Sequence, residues 1–296
     1  MRRGLRGADS AQLGFLLFLG TIACFGVLDA LAKWLARGHP VVQVVWARYF
    51  FSLAVLLPLL ARGGQLAKLR SARPWMQLGR ALSLAMATLL FFFAISRMQL
   101  AAVTAIGFLA PLVVVALSAL LLRERVGPLR WSAVVLGFLG VLVILRPDPD
   151  TLTVAALAAL GVPFCNAFYN LATRQLSVAD PAITTLAWTG AIGTAIFSVA
   201  APFAWTWPSV SGWAAMIAMG ASGALGHGCL ILAYRHATPS ALAPYSYLSL
   251  PWVTLLGFAA FGDLPDLWTV LGAGAVIASG ICVFYRERHL RRVGRL

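Results

Sequence analysis

Apolar residues run along this chain in long blocks, and polar residues gather at the joints between them. Leu100–Leu122 is an uncharged run of 23 residues, enough to cross about 30 Å of hydrocarbon at about 1.5 Å per residue. The same reading, with Gly, Pro and charged residues as breakers, predicts ten segments. Five lie in the first half: Leu13–Ala36, Val42–Leu60, Trp75–Ile95, Leu100–Leu122 and Trp131–Leu145. Five lie in the second: Leu152–Ala172, Ala182–Phe203, Gly212–Tyr234, Ser240–Phe261 and Trp268–Tyr285. The longest joint, Ala61 to Pro74, leaves no room for an inserted soluble domain. The pattern therefore predicts an all-α integral membrane protein with ten transmembrane helices.

The two halves look like copies of one unit. Pro111 recurs 140 residues on as Pro251, and Gly140 as Gly280. The acid after each of these spans recurs as Glu124 and Asp263, and the passage Lys33 to Pro40 recurs as Arg174 to Pro181. This divides the chain into five-helix repeats at 1–148 and 149–296, and a duplicated hydrophobic unit is a mark of secondary transporters. Placing the N-terminus inside puts 17 Lys and Arg in the inner joints and tails against four in the outer joints. That bias predicts both termini in the cytoplasm. An odd number of spans per unit then makes the second repeat inverted relative to the first.

Composition excludes other classes. The chain is 61% hydrophobic and 11% charged, well below the roughly 25% charge of a soluble domain. Its net charge of +14 sits at span ends and in the tails, so it argues for membrane orientation and against a nucleic-acid partner. Arg2, Arg3 and Arg6 precede an apolar run too long for a signal peptide, which reads as a retained first span. Cys24, Cys165, Cys229 and Cys282 lie in apolar segments without CxxC spacing and read as small hydrophobes.

Arg80 through Gly140, RALSLAMATLLFFFAISRMQLAAVTAIGFLAPLVVVALSALLLRERVGPLRWSAVVLGFLG, resembles the third-to-fifth-span signature of EamA-type members of the drug/metabolite transporter superfamily. The likeness extends to Arg48 and to the second copy around Pro251, Asp263 and Gly280. It implies a basket-shaped carrier with a central cavity lined mainly by spans 1, 3, 4, 6, 8 and 9. It further implies a bacterial inner-membrane exporter of small metabolites, amino acids (aromatic ones included) foremost, working as a monomer without a cofactor. Its partners would be a small-molecule substrate and the lipid bilayer.

Ionisable groups inside a span are costly, so each needs a reason. Asp29 and Lys33 lie four apart and can form a local ion pair, or Asp29 can serve as a proton or cation site. Arg48 reads as an anchor stacked on Trp46 or pairing with a helix C-terminus, with substrate contact as the alternative. Arg80 either snorkels to the cytoplasmic edge or clamps a carboxylate or phosphate. His227, among the glycines of span 8, either hydrogen-bonds a neighbouring helix or lines the cavity. On span 6, Asn166, Tyr169 and Asn170 form a polar face behind Pro163. On span 9, Tyr245, Tyr247 and Ser249 lie between Pro244 and Pro251, and span 4 answers with Thr104 and Pro111. Broken helices at matching places in two halves point to a transporter site, with Pro111, Pro163, Pro244 and Pro251 as hinges; plain packing kinks are the alternative. Glu124 and Asp263 read as helix-start acids, and Trp205, Trp207, Trp213 and Trp268 as an interface belt.

The expected activity is export of a small polar or zwitterionic metabolite by alternating access. Uptake of a nucleoside-like metabolite and efflux of cationic drugs are the alternatives; for the latter, Asp29 is the sole candidate acid. An integral membrane enzyme would need a nucleophile with its base, or a metal cluster. No HExxH or GxSxG motif occurs.

Overall fold

A computed structural model of the chain describes residues 2–62, 69–121, 127–146, 153–176, 179–237 and 239–292. Among them every regular element is helical. In order these are α1 (Arg2–Leu35), α2 (Val41–Arg62), α3 (Pro74–Ile95), α4 (Leu100–Gly107), α5 (Ala110–Leu121) and α6 (Pro128–Leu145). Then follow α7 (Val154–Leu176), α8 (Ala182–Ala200), α9 (Val210–His236), α10 (Pro239–Leu242), α11 (Ser249–Phe261) and α12 (Leu267–Arg292).

Among the described residues, nine helical stretches are long and apolar enough to cross a membrane, α4 and α5 counting as one. The segment expected over Ser240–Phe261 is not a single helix. It divides into α10, a 3-10 stretch over Ala243–Leu248, and α11. Proline is the cause: it lacks an N–H, and its ring collides with the carbonyl four residues back. For Pro251 that carbonyl belongs to Tyr247, inside the 3-10 stretch. For Pro111 it belongs to Gly107, where α4 ends. The two proline breaks 140 residues apart thus fall at matching places, and α4 packs against α11. Pro163 differs, since α7 runs through it without interruption.

Helix starts correct one expectation. Asp263 is not a helix-start acid: α11 is capped by Gly262 in the left-handed conformation (φ 73°), and the Asp263 amide donates back to the Gly257 carbonyl. The acid at the start of α12 is Asp266, which accepts from the Thr269 amide at 2.9 Å. Glu124 lies outside the described residues.

The most extensive packing joins α1 to α9, α3 to α7 and α6 to α12. Lipid tails are as apolar as a leucine side chain, so close van der Waals contact drives such association, and small residues permit it. Gly140 and Gly272 show this between α6 and α12: a Cβ on Gly272 would lie 2.4 Å from the Gly140 carbonyl oxygen. Gly280, its match in the sequence repeat, instead abuts the Tyr247 hydroxyl.

Polar ties hold the joints together at each side of the bundle. On the side of the α1–α2 joint, Lys33 donates to the Asp263 carboxylate and, at 2.9 Å, to the Met98 carbonyl. The Gln43 side chain exchanges hydrogen bonds with Thr206, Gln99 donates to the Leu264 carbonyl, and Arg146 pairs with Asp266. On the opposite side Asp180 accepts from the Ser71 hydroxyl, the Ala72 amide at 2.8 Å and the Gln77 amide group at 2.8 Å. Of the four belt tryptophans, Trp207 and Trp268 are exposed. Trp205 and Trp213 pack together with tilted rings at 6.2 Å, and Trp205 also meets Trp46 edge-on at 5.2 Å and Trp207 at 6.1 Å.

Candidate functional site

Helices α1, α2, α3, α7 and α9 line an open cavity of about 370 Å³, within the size range of small-ligand pockets. Its wall is mostly apolar, with Phe25, Phe91 and Phe92 on it, and its polar groups are few. They are Asp29 from α1, Arg48 from α2, Thr88 from α3, Asn166 and Tyr169 from α7, and His227 from α9. A narrower cavity of about 60 Å³ shares Arg48, Leu84 and His227 with it and reaches Ser52 and Thr189. The resemblance implied walls from spans 4 and 9 as well. Those segments instead line a separate cavity of about 310 Å³, with Pro111, Pro244 and Tyr247.

Asp29 and Lys33 do not pair. Lys33, at the last turn of α1, is buried and reaches across the joint to Asp263, which leaves Asp29 on the cavity wall. Among the described residues the Asp29 carboxylate accepts no hydrogen bond and makes no ion pair. Arg48 does not stack on Trp46, whose ring lies on Phe50 at 4.8 Å and whose indole donates to Ser198. The guanidinium of Arg48 instead sits 5.1 Å from the Tyr49 ring centroid and 5.8 Å from that of Phe92. Its Nη1 donates to the Thr88 and Tyr49 hydroxyls. Its Nε and Nη2 donate to no protein atom among the described residues, so one edge of the fork is available.

Arg80 neither snorkels nor lines a cavity. It is 3% exposed and fixed between α7 and α8. Nε donates to Thr173 at 2.7 Å, Nη1 to Thr189 at 2.6 Å, and Nη2 to the Tyr169 hydroxyl at 2.9 Å. The guanidinium also lies 4.5 Å from the Tyr169 ring centroid. No carboxylate pairs with it among the described residues.

His227 borders both central cavities and meets Phe25 edge-on at 4.9 Å. It makes no hydrogen bond to a neighbouring helix among the described residues, contrary to one of the two sequence readings. Of the span 6 polar face, Asn166 and Tyr169 share the central cavity, while Asn170 turns to the separate one with Tyr247. Three candidates lie away from both. Thr104 bonds back to the Leu100 carbonyl of its own helix at 2.8 Å. Tyr245 is 42% exposed and packs edge-on against Phe15. Ser249 begins α11 and borders neither cavity. Sequence reasoning passed over Tyr49, Thr88 and Thr189, because a single hydroxyl in an apolar span carries little signal. All four cysteines are free thiols, and no group of three or more His, Cys, Asp or Glu gathers among the described residues.

The model of the EamA-like transporter family matches this chain twice, over residues 12–146 and 153–285. An S-adenosylmethionine uptake transporter of Rickettsia bellii is 27% identical over 278 residues, which cover 94% of this chain and 95% of that protein. A riboflavin transporter of Rhizobium johnstonii is 28% identical, covering 95% and 94%. The pseudopaline exporter CntI of Pseudomonas aeruginosa is 26% identical, covering 93% and 97%. One solved crystal structure superposes with a TM-score of 0.65 at 20% identity, over 94% of this chain and 98% of the other, a likeness of fold.

Proposed function

Because this chain belongs to the EamA-like transporter family, we propose that it carries a small zwitterionic metabolite of amino-acid type through the central cavity by alternating access. The carrying observation is the pair of opposite charges on one mostly apolar wall: the Asp29 carboxylate, which accepts no hydrogen bond among the described residues, and the open edge of Arg48. A substrate ammonium answers the first and a carboxylate the second, and each charge then leaves water with a partner. Asn166, Tyr169 and His227 supply orienting hydrogen bonds.

The aromatic wall of Phe25, Phe91 and Phe92 favours a second reading, in which the metabolite also carries a flat ring, as nucleoside-like compounds do. The relatives named for S-adenosylmethionine and for riboflavin support it. As the relatives are named for uptake and for export alike, the direction of a gradient-driven carrier follows its gradients, and export applies where the metabolite accumulates inside.

The mechanism rests on two inverted five-helix repeats rocking about the site, with Pro111 and Pro251 as the main hinges and Pro163 and Pro244 as further candidates. Two observations support it. The family model matches once in each half, and exchanging the halves turns the α1–α9 packing into the α7–α3 packing. The Lys and Arg bias supports both ends being cytoplasmic, and the bacterial relatives support an inner-membrane carrier, which we take to work as a monomer. The test is counterflow of labelled amino acids in proteoliposomes, with and without a pH gradient. Saturable exchange is expected, with Asp29→Asn and Arg48→Gln each lowering affinity about tenfold or more. Exchange of no amino acid would overturn the reading.

A further inference from the structure

Arg80 is a buried guanidinium outside the cavity, yet it touches the wall twice. Its Nη2 donates to the hydroxyl of Tyr169, which borders the large cavity, and its Nη1 to that of Thr189, which borders the narrow one. A phenol oxygen that accepts from a guanidinium has its own hydrogen free for another acceptor, and the positive charge behind it makes it a stronger donor. The Tyr169 hydroxyl donates to no protein atom among the described residues. Its hydrogen therefore serves an acceptor in the cavity, and the charge behind it favours an anionic one.

The charge count around the cavity agrees. Arg48 stands on the wall and Arg80 directly behind it, both permanently cationic, against the single carboxylate of Asp29. One positive charge is left without a counter-charge, and with Arg80 buried behind a mostly apolar wall such a charge is costly. A zwitterion with no net charge leaves that excess in place. A substrate with one ammonium and two carboxylates removes it.

We propose that the transported metabolite is net anionic, of the acidic amino-acid type, and that Arg80 is the positioning residue selecting it through the Tyr169 hydroxyl. This rests on the zwitterion reading above and adds a second anionic group, placed at Tyr169. L-Glutamate and L-glutamine are suitable probes, since they share a shape and differ by one charge. In counterflow, wild-type carrier should bind glutamate about tenfold more tightly than glutamine. Arg80→Gln should bring that ratio near one with glutamine affinity unchanged, and Arg80→Lys should restore most of it. A merely structural role would lower both affinities together and leave the ratio standing. Should Arg80→Gln fail to fold, Tyr169→Phe keeps the ring and removes the hydroxyl, and the ratio should fall in the same way. Glutamine bound as tightly as glutamate by the wild type, or a ratio that survives these substitutions, overturns the inference while amino-acid transport stands. Binding of neither probe, nor of any other amino acid, removes the zwitterion reading and this inference with it.

Discussion

Charged side chains in the spans are few, and each has been given a different surrounding. Lys33 is buried with an acid and a carbonyl, Arg80 with hydroxyls and a phenol, and Arg48 keeps one edge open to the cavity. Outside the membrane part, Asp180 is just as buried, at 6% exposure. Burial alone would raise its carboxyl. The hydrogen bonds from Ser71, the Ala72 amide and Gln77, with Arg73 nearby, outweigh that and hold the carboxyl below its ordinary value. A group lowered in the folded state contributes stability above its unfolded pKa and loses it as pH falls through the folded one. Asp180→Asn should therefore lower the melting temperature at neutral pH, by an amount corresponding to about 1–3 kcal/mol. The difference from wild type should shrink as pH drops through and below the ordinary carboxylate range. A gap that widens on acidification would contradict this account.

At the scale of elements, the two broken segments stand apart from the continuous helices. α4 stops at Gly107, four residues before Pro111, and the 3-10 stretch stops at Leu248, three before Pro251. Backbone carbonyls freed in this way let a segment bend without losing an intact ladder of hydrogen bonds. Pro111→Ala and Pro251→Ala should let those ladders close and stiffen both segments. The expected result is a transport rate lowered several-fold with normal expression and little change in substrate affinity, read from counterflow rates against KM. Unchanged rates would make both breaks packing kinks. Much of this scale was legible in the sequence. Span positions came from apolar blocks, because hydrocarbon length sets helix length, and the paired breaks came from proline's missing donor. The helix-start acid was misplaced from Asp266 to Asp263, because a glycine C-cap delays the next helix by several residues and leaves no mark in hydropathy.

At the scale of the molecule, the halves are tied across both sides of the bundle. Lys33 of the first half bridges Asp263 of the second and the Met98 carbonyl, while Asp180 of the second half gathers Ser71, Ala72 and Gln77 of the first. Removing Lys33 strands the Asp263 carboxylate, but that group keeps 30% exposure, so the cost falls below the roughly 3–5 kcal/mol of a fully buried pair. Lys33→Met should therefore destabilise the protein by about 1–3 kcal/mol. Lys33→Met with Asp263→Leu should recover most of that loss, as read by thermal unfolding in detergent. A double variant no more stable than the single one would show that Lys33 and Asp263 act separately.

By itself the sequence determined that this is a helical membrane protein of duplicated design, where its spans lie and which polar residues are available. These follow from local quantities: run length, the chemistry of proline, and charge at span ends. Only the tertiary structure decided which polar residues share a cavity. Side chains three or four apart on one helix can face different neighbours, as Tyr169 and Asn170 show by opening onto separate cavities. Asp29 lost its nearby lysine to an acid 230 positions further along than Lys33, and Arg48 became a wall residue through a threonine 40 positions away. Packing between distant segments sets those distances, and spacing along one helix carries no record of it.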